Sequence, residues 1–88
     1  MNTSPANTAL QVRATAVHFD QDTLCISLSD GRQLSVPLAR VHWLAWLLQA
    51  GPEQRAKYSI EPGGFAVYWD ELDDGVELSH LLGMQSLA

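Results

Sequence analysis

The chain has 88 residues, of which 47% are apolar and three are tryptophan, so it suffices for one small domain with a hydrophobic core and not for two. Its formal net charge of -5 at pH 7 and isoelectric point of about 4.8 argue against direct binding of nucleic acid or of an anionic membrane. The single cysteine, Cys25, cannot form an internal disulfide, which suits a reducing compartment.

Residues 1–11 are rich in small and polar residues and show no hydrophobic periodicity. This predicts a flexible leader, followed by a single α+β domain at residues 12–88. No cationic segment followed by an apolar segment opens the chain, and no apolar stretch approaches the roughly 20 residues that span a bilayer. We therefore expect a cytoplasmic protein that does not bind a membrane.

Three strands are predicted in the first half. Residues 14–19 alternate with period two, which indicates a strand that ends in a turn at residues 20–22. Residues 24–29 predict a second strand, whose buried face carries Leu24, Ile26 and Leu28. The dipeptide Asp30-Gly31 favours a type I′ turn, after which residues 32–36 return as a third antiparallel strand.

A main helix is predicted from about Leu38 to Ala50, since Pro37 suits a helix start and Gly51-Pro52 ends it. One apolar stripe of this helix should cover the strands; it contains Val41, Leu44, Ala45 and Leu48. A second stripe lies on a different side; it contains Trp43, Trp46, Leu47 and Ala50. A small sheet covers only one side of such a helix. The second stripe therefore needs another cover: the C-terminal segment, a second copy of the chain or a different protein.

The second half predicts a hairpin and a short helix. After a helical turn near residues 52–55, residues 56–60 and 65–69 read as two strands joined by residues 61–64. An acidic run follows at residues 70–74. The apolar residues within 76–84 then predict a short helix, which Gly83 is placed to end. The predicted fold class is α+β, with antiparallel strands (a meander plus a second hairpin) packed on one main helix and a short C-terminal helix.

The order of these segments resembles the domain-of-unknown-function 2442 family. The segments that carry the likeness are Leu28-Ser29-Asp30-Gly31-Arg32, Val36-Pro37-Leu38, Ala50-Gly51-Pro52-Glu53-Gln54-Arg55 and Val67-Tyr68-Trp69-Asp70-Glu71-Leu72-Asp73-Asp74, followed by Leu81-Leu82. The resemblance implies a small bacterial α+β domain without an established activity. It also implies a place in a two-gene module of toxin-antitoxin type. Gly75 departs from the family pattern, where a β-branched or acidic residue is usual, and predicts a looser turn.

The acidic run contains four carboxylates: Asp70, Glu71, Asp73 and Asp74. They have three open interpretations, namely helix capping with surface charge, an edge that binds a partner, and metal binding or catalysis. Their spacing does not match a calcium loop of the EF-hand kind. Arg55 is expected to pair with an acid, for which residues 70–74 are one option, and to fix the second hairpin to the end of the helix. If the pair is exposed it contributes less than about 1 kcal/mol, so that Arg55→Ala would be mild.

Trp43, Trp46 and Leu47 have two open interpretations: internal packing under the second hairpin, or an interface with a partner. The three histidines and Cys25 show no zinc spacing, and no serine stands in a nucleophile motif. We therefore predict no cofactor, no metal site and no enzymatic activity.

Two functions remain. The first is a non-catalytic protein-protein interaction module, the neutralising partner of a bacterial toxin-antitoxin-like pair, binding through Trp43, Trp46 and Leu47 and forming a homodimer. The second is an acidic, phage-type decoy in which residues 70–77 block a basic nucleic-acid-binding protein.

Overall fold

The computed structural model describes residues 12–86, and side chains as far as Met84. The leader predicted at residues 1–11 lies outside the described residues. The described chain forms two antiparallel three-stranded sheets with short helices between and after them.

Each sheet has its strands in chain order. The first sheet consists of β1 (Ala14–Asp20), β2 (Thr23–Leu28) and β3 (Gln33–Pro37). The second consists of β4 (Tyr58–Ile60), β5 (Ala66–Trp69) and β6 (Asp74–Glu77). Along the chain, helices α1 (Ala45–Leu48) and α2 (Pro52–Arg55) lie between the sheets, and α3 (Leu78–Ser86) follows β6. The predicted mixture of antiparallel strands and helices is confirmed.

The predicted meander is confirmed, but the class of its second turn is wrong. A type I′ turn needs positive φ at both central residues, and here Gly31 has φ 94° while Asp30 does not lie in the left-handed region. The Asp30 carboxylate instead accepts hydrogen bonds from the backbone N–H of Arg32 at 3.0 Å and from its Nε at 2.8 Å. These bonds lower the pKa of Asp30 below its ordinary value.

The prediction of one main helix from Leu38 to Ala50 is wrong. The segment forms a 3₁₀ turn at Leu38–Arg40, an extended residue at Val41, a second 3₁₀ turn at His42–Leu44 and then the single-turn helix α1. The residues it buries are spaced by three; they are Leu38, Val41, Leu44 and Leu47. A spacing of three is the period of a 3₁₀ helix, so this backbone buries a row that an α-helix would turn away from the core.

The second hairpin is confirmed, and the chain adds a strand to it that was not predicted. Val76 lies in β6, opposite Val67, rather than in the C-terminal helix. That helix begins at Leu78, and Gly83 lies inside it rather than at its end.

One hydrophobic core joins the two sheets. Its members come from β1, β2 and β3, from the segment before α1, and from β5, β6 and α3. Trp69 of β5 is fully buried and packs edge-on against Phe19 of the first sheet, with ring centroids 6.2 Å apart. The backbone N–H of Ala14 donates to Gly64 O at 2.7 Å, and both residues are buried.

Candidate functional site

Arg55, at the end of α2, fixes the helical segments to the first sheet. Its Nε donates to Leu47 O at 3.1 Å, and its Nη2 donates to Leu48 O at 2.9 Å and to Asp22 Oδ1 at 3.0 Å. Its Nη1 donates to Gln21 O at 3.1 Å. Only 11% of the arginine side chain is exposed.

The predicted ion pair of Arg55 with an acid is confirmed, but the acid is Asp22 of the β1-β2 turn and not a residue of the acidic run. The Arg55 guanidinium also lies over the Phe19 ring, 5.2 Å from the centroid. The link to the second sheet is made by its backbone, since Arg55 O accepts a hydrogen bond from Trp69 Nε1 at 2.9 Å. With so many partners the residue is structural and holds no free charge for a ligand.

The predicted second stripe of the main helix is not one surface. Leu47 is fully buried in the core, so it offers no area to a partner. Trp46 is half-buried against Trp69, with ring centroids 5.9 Å apart, and its Nε1 donates to Trp43 O at 3.1 Å. Trp43 is 42% exposed and meets His80 of α3 edge-on, at 6.3 Å. The cover for this stripe comes from the second half of the same chain.

Six exposed carboxylates lie on the second sheet and its turns, and the other four, Asp20, Asp22, Asp30 and Glu53, lie elsewhere. We call the surface of these six the acidic face and define it by Glu61, Asp70, Glu71, Asp73, Asp74 and Glu77. Three of them line an open groove of about 560 Å³; they are Glu61, Asp70 and Glu77. Tyr68 of β5 lies in the same groove and is half-buried.

The register of the second sheet explains why these residues meet. Tyr68 pairs with Gly75, and Ala66 pairs with Glu77, so all four project on the same side of the sheet. Val67 and Val76 alternate with them and enter the core. Sequence reasoning had included Glu77 with the acidic run in the decoy hypothesis, but it had not placed Glu61 there or Tyr68 in a groove with these acids. The alternation at residues 74–77 could have indicated a strand, but the side of the sheet on which Glu77 lies follows only from the pairing of β6 with β5.

Within the acidic face, two carboxylates hold local structure. Asp73, in a left-handed conformation with φ 52°, accepts a hydrogen bond from the Tyr68 hydroxyl at 2.8 Å. This bond raises the pKa of Tyr68 above its ordinary value, because ionisation would place a second negative charge beside the carboxylate. The Asp74 side chain accepts a hydrogen bond from the backbone N–H of Gly75 at 2.8 Å.

The acidic run does not cap the C-terminal helix, although the surface charge predicted with that interpretation is present. Residues Asp70–Leu72 form a 3₁₀ turn, and strand β6 separates this turn from the first residue of α3. Negative charge stabilises a helix start only within its first turn. Asp70 and Glu71 lie in the first turn of the 3₁₀ segment itself, and all four carboxylates of the run are exposed.

Gly75 also differs from its predicted role, since it lies in a strand and not in a looser turn. A Cβ at this position would lie 2.6 Å from Val67 O and 2.8 Å from the Tyr68 ring. The missing side chain lets the tyrosine ring lie against the neighbouring strand. Gly75 thereby shapes the floor of the acidic groove.

Basic residues offset little of this charge. Lys57 pairs with Glu71 at 2.8 Å, and both side chains are largely exposed. His80 lies 3.7 Å from Glu77. Among residues 12–86, no other Lys, Arg or His forms an ion pair with the acidic face. A surface that combines these carboxylates with an accessible aromatic ring suits Lys or Arg side chains.

A second groove, of about 910 Å³, lies between the end of β1 and the helical segment that leads into β4. Its walls include Val17, His18 and Phe19 on one side, and Ala56 and Tyr58 on the other. Asp22 and Arg55 stand at the end near the β1-β2 turn.

The other predicted candidates do not converge. His18, His42 and His80 lie on β1, on a 3₁₀ turn and on α3, and all are exposed, while Cys25 is buried in β2. In the described part of the chain, no three His, Cys, Asp or Glu side chains are grouped to hold a metal ion. No helix within residues 12–86 is long and apolar enough to cross a membrane.

Comparison with known proteins relates the chain to families without a known activity. A family model described as "Protein of unknown function (DUF2442)" matches residues 14–83. No curated protein matches the chain.

Two solved structures are similar to this fold. One is a crystal structure of a protein of unknown function from Rhodospirillum rubrum, with a TM-score of 0.69 and 21% identity, over 83% of this chain and 87% of that one. The other is an NMR structure of an uncharacterised protein from Chromobacterium violaceum, with a TM-score of 0.66 and 25% identity. That match covers 81% of this chain and 64% of the other.

Proposed function

This chain belongs to the DUF2442 family, whose function is unknown, and on that premise we propose that it is a non-catalytic protein-protein interaction module that binds a basic protein. The observation that carries the proposal is the charge of the acidic face: six exposed carboxylates lie near Tyr68, and one lysine, Lys57, forms an ion pair with them. Such a surface attracts an oppositely charged partner and orients it before contact.

The biological setting that we propose is a bacterial two-protein module of toxin-antitoxin type, with this chain as the neutralising partner in the cytoplasm. The support for this setting is the family resemblance. The acidic face replaces Trp43, Trp46 and Leu47 as the proposed contact surface, because Leu47 is buried and Trp46 is half-buried. The homodimer remains a prediction, for which Trp43 supplies the most exposed apolar area of that segment.

The test is titration of the chain with the product of the neighbouring gene, by isothermal calorimetry at several salt concentrations. We expect a micromolar or tighter complex whose affinity falls as salt rises, because salt screens exposed charges. Absence of a complex at micromolar concentration would contradict the two-protein module.

The matched variants change charge without changing the fold. Asp70→Asn/Glu77→Gln removes two carboxylates of the groove and leaves those that hold Tyr68 and Gly75 in place. We expect a loss of affinity of about tenfold or more, equivalent to about 1.4 kcal/mol. Glu53→Gln, on the exposed surface of α2, is the control and should leave the affinity within about twofold. Equal affinities for wild type and both variants would argue against the acidic face.

A second candidate function uses the same surface. An acidic decoy would occupy the nucleic-acid site of its basic target, and the density of carboxylates around Tyr68 favours this alternative. Competition separates the two functions. A decoy is displaced by the DNA or RNA that its target binds, whereas a partner that contacts another surface forms a ternary complex.

A further inference from the structure

The sequence contains the dipeptide Asp-Gly twice, as Asp30-Gly31 and as Asp74-Gly75. In this dipeptide the backbone nitrogen of the glycine can attack the carboxyl carbon of the aspartate, and the absence of a glycine side chain leaves the approach open. The five-membered ring that results opens in part to isoaspartate, in which the backbone runs through the side-chain carboxyl carbon. The structure holds the two dipeptides in different ways.

In the first dipeptide, hydrogen bonds keep the two reacting groups apart. Asp30 Oδ1 accepts from the backbone N–H of Arg32 at 3.0 Å, and Asp30 Oδ2 accepts from Arg32 Nε at 2.8 Å, so both carboxylate oxygens are bonded to the arginine. The backbone N–H of Gly31 donates elsewhere, to Leu28 O at 3.1 Å. Because the carboxyl group and the nitrogen have separate partners, these bonds must break before the two groups can react.

In the second dipeptide, the two reacting groups are in contact. The backbone N–H of Gly75 donates to Asp74 Oδ1 at 2.8 Å, which places the nitrogen against the carboxyl group that it would attack. Groups held this close react with the advantage of an intramolecular near-attack arrangement. Leu78 N–H donates to Phe65 O, and alternate residues of a strand point their N–H groups to opposite sides, so the Gly75 N–H points away from β5. The β5-β6 ladder therefore does not use this nitrogen.

The surroundings of Asp74 allow the movement that ring closure needs. Asp74 is the first residue of β6 and pairs with Trp69, the last residue of β5, so rotation of its peptide group disturbs the end of the ladder and not its middle. Asp74 is also exposed, so water reaches its carboxyl group. The glycine cannot be replaced without a clash, because a Cβ there would lie 2.6 Å from Val67 O and 2.8 Å from the Tyr68 ring. The packing of the sheet therefore requires the same glycine that makes the dipeptide reactive.

We propose that Asp74-Gly75 is a modification site, at which the folded chain forms isoaspartate without an enzyme. The neutral carboxyl group reacts: the Gly75 nitrogen bonds to Asp74 Cγ, and the carboxyl hydroxyl leaves with the amide proton as one water molecule. One water molecule then adds to either ring carbonyl. Opening at Cγ restores aspartate, whereas opening at the main-chain carbonyl gives isoaspartate with a free α-carboxylate, so the product has the same mass as the starting chain.

Isoaspartate lengthens the backbone between Asp74 and Gly75 by one methylene group. An added backbone atom shifts one strand against the other, so the pairs Tyr68-Gly75 and Trp69-Asp74 cannot both keep their spacing. These pairs hold Tyr68 among the carboxylates of the acidic face. The reaction therefore gives that surface a limited lifetime.

The test is incubation of the full chain in water labelled with oxygen-18, at mildly acidic pH and physiological temperature. Each ring opening introduces one labelled oxygen, whichever product forms, and trypsin places the two dipeptides in separate peptides, residues 14–32 and 58–88. We expect mass spectrometry to show label at Asp74 at least about tenfold faster than at Asp30. Electron-transfer fragmentation of peptide 58–88 assigns the label to a residue and distinguishes isoaspartate from aspartate.

Two comparisons separate the effect of the fold from that of the local sequence. In urea the hydrogen bonds of both dipeptides are lost, so we expect the two labelling rates to become similar. Asp74→Glu prevents closure of a five-membered ring, because its side chain is one methylene longer, and should remove most of the label from peptide 58–88. Asp30→Glu is the matched control at an exposed position and should leave the labelling of that peptide unchanged.

Three results would overturn the inference: equal labelling rates in the folded chain, faster labelling at Asp30, or a preference for Asp74 that persists unchanged in urea. The last result would mean that the neighbouring sequence, and not the contact between Gly75 N–H and the carboxyl group, selects the site. None of these measurements needs a partner protein, so their outcome is independent of the proposed function.

Discussion

Arg55 shows how one side chain can replace a regular helix as the connection between elements. The segment before it ends after a single helical turn, and the guanidinium bonds to the carbonyl of Leu48 and, together with Ala50 N–H, to the carbonyl of Leu47. Because the same group reaches the β1-β2 turn, its fork of donors holds three parts of the chain at once.

We expect Arg55→Ala to lower the free energy of unfolding by about 3 kcal/mol, because it leaves the half-buried Leu48 carbonyl unpaired, breaks the ion pair with Asp22 and removes the guanidinium from the Phe19 ring. Urea denaturation followed by circular dichroism measures the change. Arg32→Ala, which removes an exposed pair with Asp30, is the control and should cost less than about 1 kcal/mol. Equal effects for the two variants would mean that Arg55 is an ordinary surface arginine.

The bond between Tyr68 and Asp73 makes a prediction about pH. Since the pKa of Tyr68 is raised in the folded chain, its contribution to stability is fully present below pH 10.0 and is lost as pH rises through the raised pKa. Asp73→Asn should lower this pKa towards the ordinary value, and asparagine tolerates the left-handed backbone at this position.

The tyrosine titration is measured by ultraviolet absorbance on a Tyr58→Phe background, where Tyr68 is the one remaining tyrosine. A midpoint that is the same with Asp73 and with Asn at this position would show that the hydrogen bond does not control the ionisation.

At the scale of elements, the residues that follow a simple period were predictable and the others were not. The meander follows from the alternation of side chains at residues 14–19 and 24–29. Pro52 marks the start of α2, and the loop at residues 61–64 separates β4 from β5. The segment at residues 38–48 is apolar nearly all round, so its sequence supports stripes of either helical period. Long-range packing against Trp69 and α3 selects the 3₁₀ period over the α-helical one, and the local sequence pattern does not predict that packing.

The β6 strand was missed for a related reason. Four residues with a glycine among acids carry little strand propensity, and pairing with β5 supplies what the local sequence lacks. The acidic run could therefore be found from composition, but its position beside Tyr68 depends on a register that the sequence does not display.

The spacing of three makes a prediction that separates the two helical interpretations. We expect Leu47→Ala to lower the free energy of unfolding by about 3 kcal/mol, since Leu47 is fully buried, and Leu48→Ala to cost about 1 kcal/mol. Thermal and urea denaturation of both variants supply the comparison. The α-helical stripe predicts the opposite order, because it buries Leu48 and leaves Leu47 on the other side.

At the scale of the whole molecule, the two sheets meet at a contact between aromatic rings and at a contact between backbones. Trp69 supplies the first, between the rings of Phe19 and Trp46. Gly64 supplies the second: it is buried, it has φ 79°, and a Cβ there would lie 2.7 Å from Arg13 Cβ and 3.0 Å from Ala14 O. Glycine is needed here both for the backbone conformation and for the close approach.

Gly64→Ala should therefore destabilise the chain by about 3 kcal/mol, more than Gly31→Ala, which changes a glycine of similar φ with open space around its Cβ. The difference between the two variants in urea denaturation isolates the contact between the sheets. If the two losses are equal, backbone strain alone accounts for Gly64, and the sheets depend on the core for their connection.

The burial of Trp69 also gives the chain its own optical reporter. Indole emission is sensitive to contact with water and to quenchers in solution, and the three tryptophans differ in access, from the fully buried Trp69 to the 42% exposed Trp43. Neutral quenchers should therefore dim Trp43 first. The Trp46 and Trp69 rings are near enough, at 5.9 Å, for their transitions to couple, and the resulting circular dichroism band should disappear when α1 separates from the second sheet.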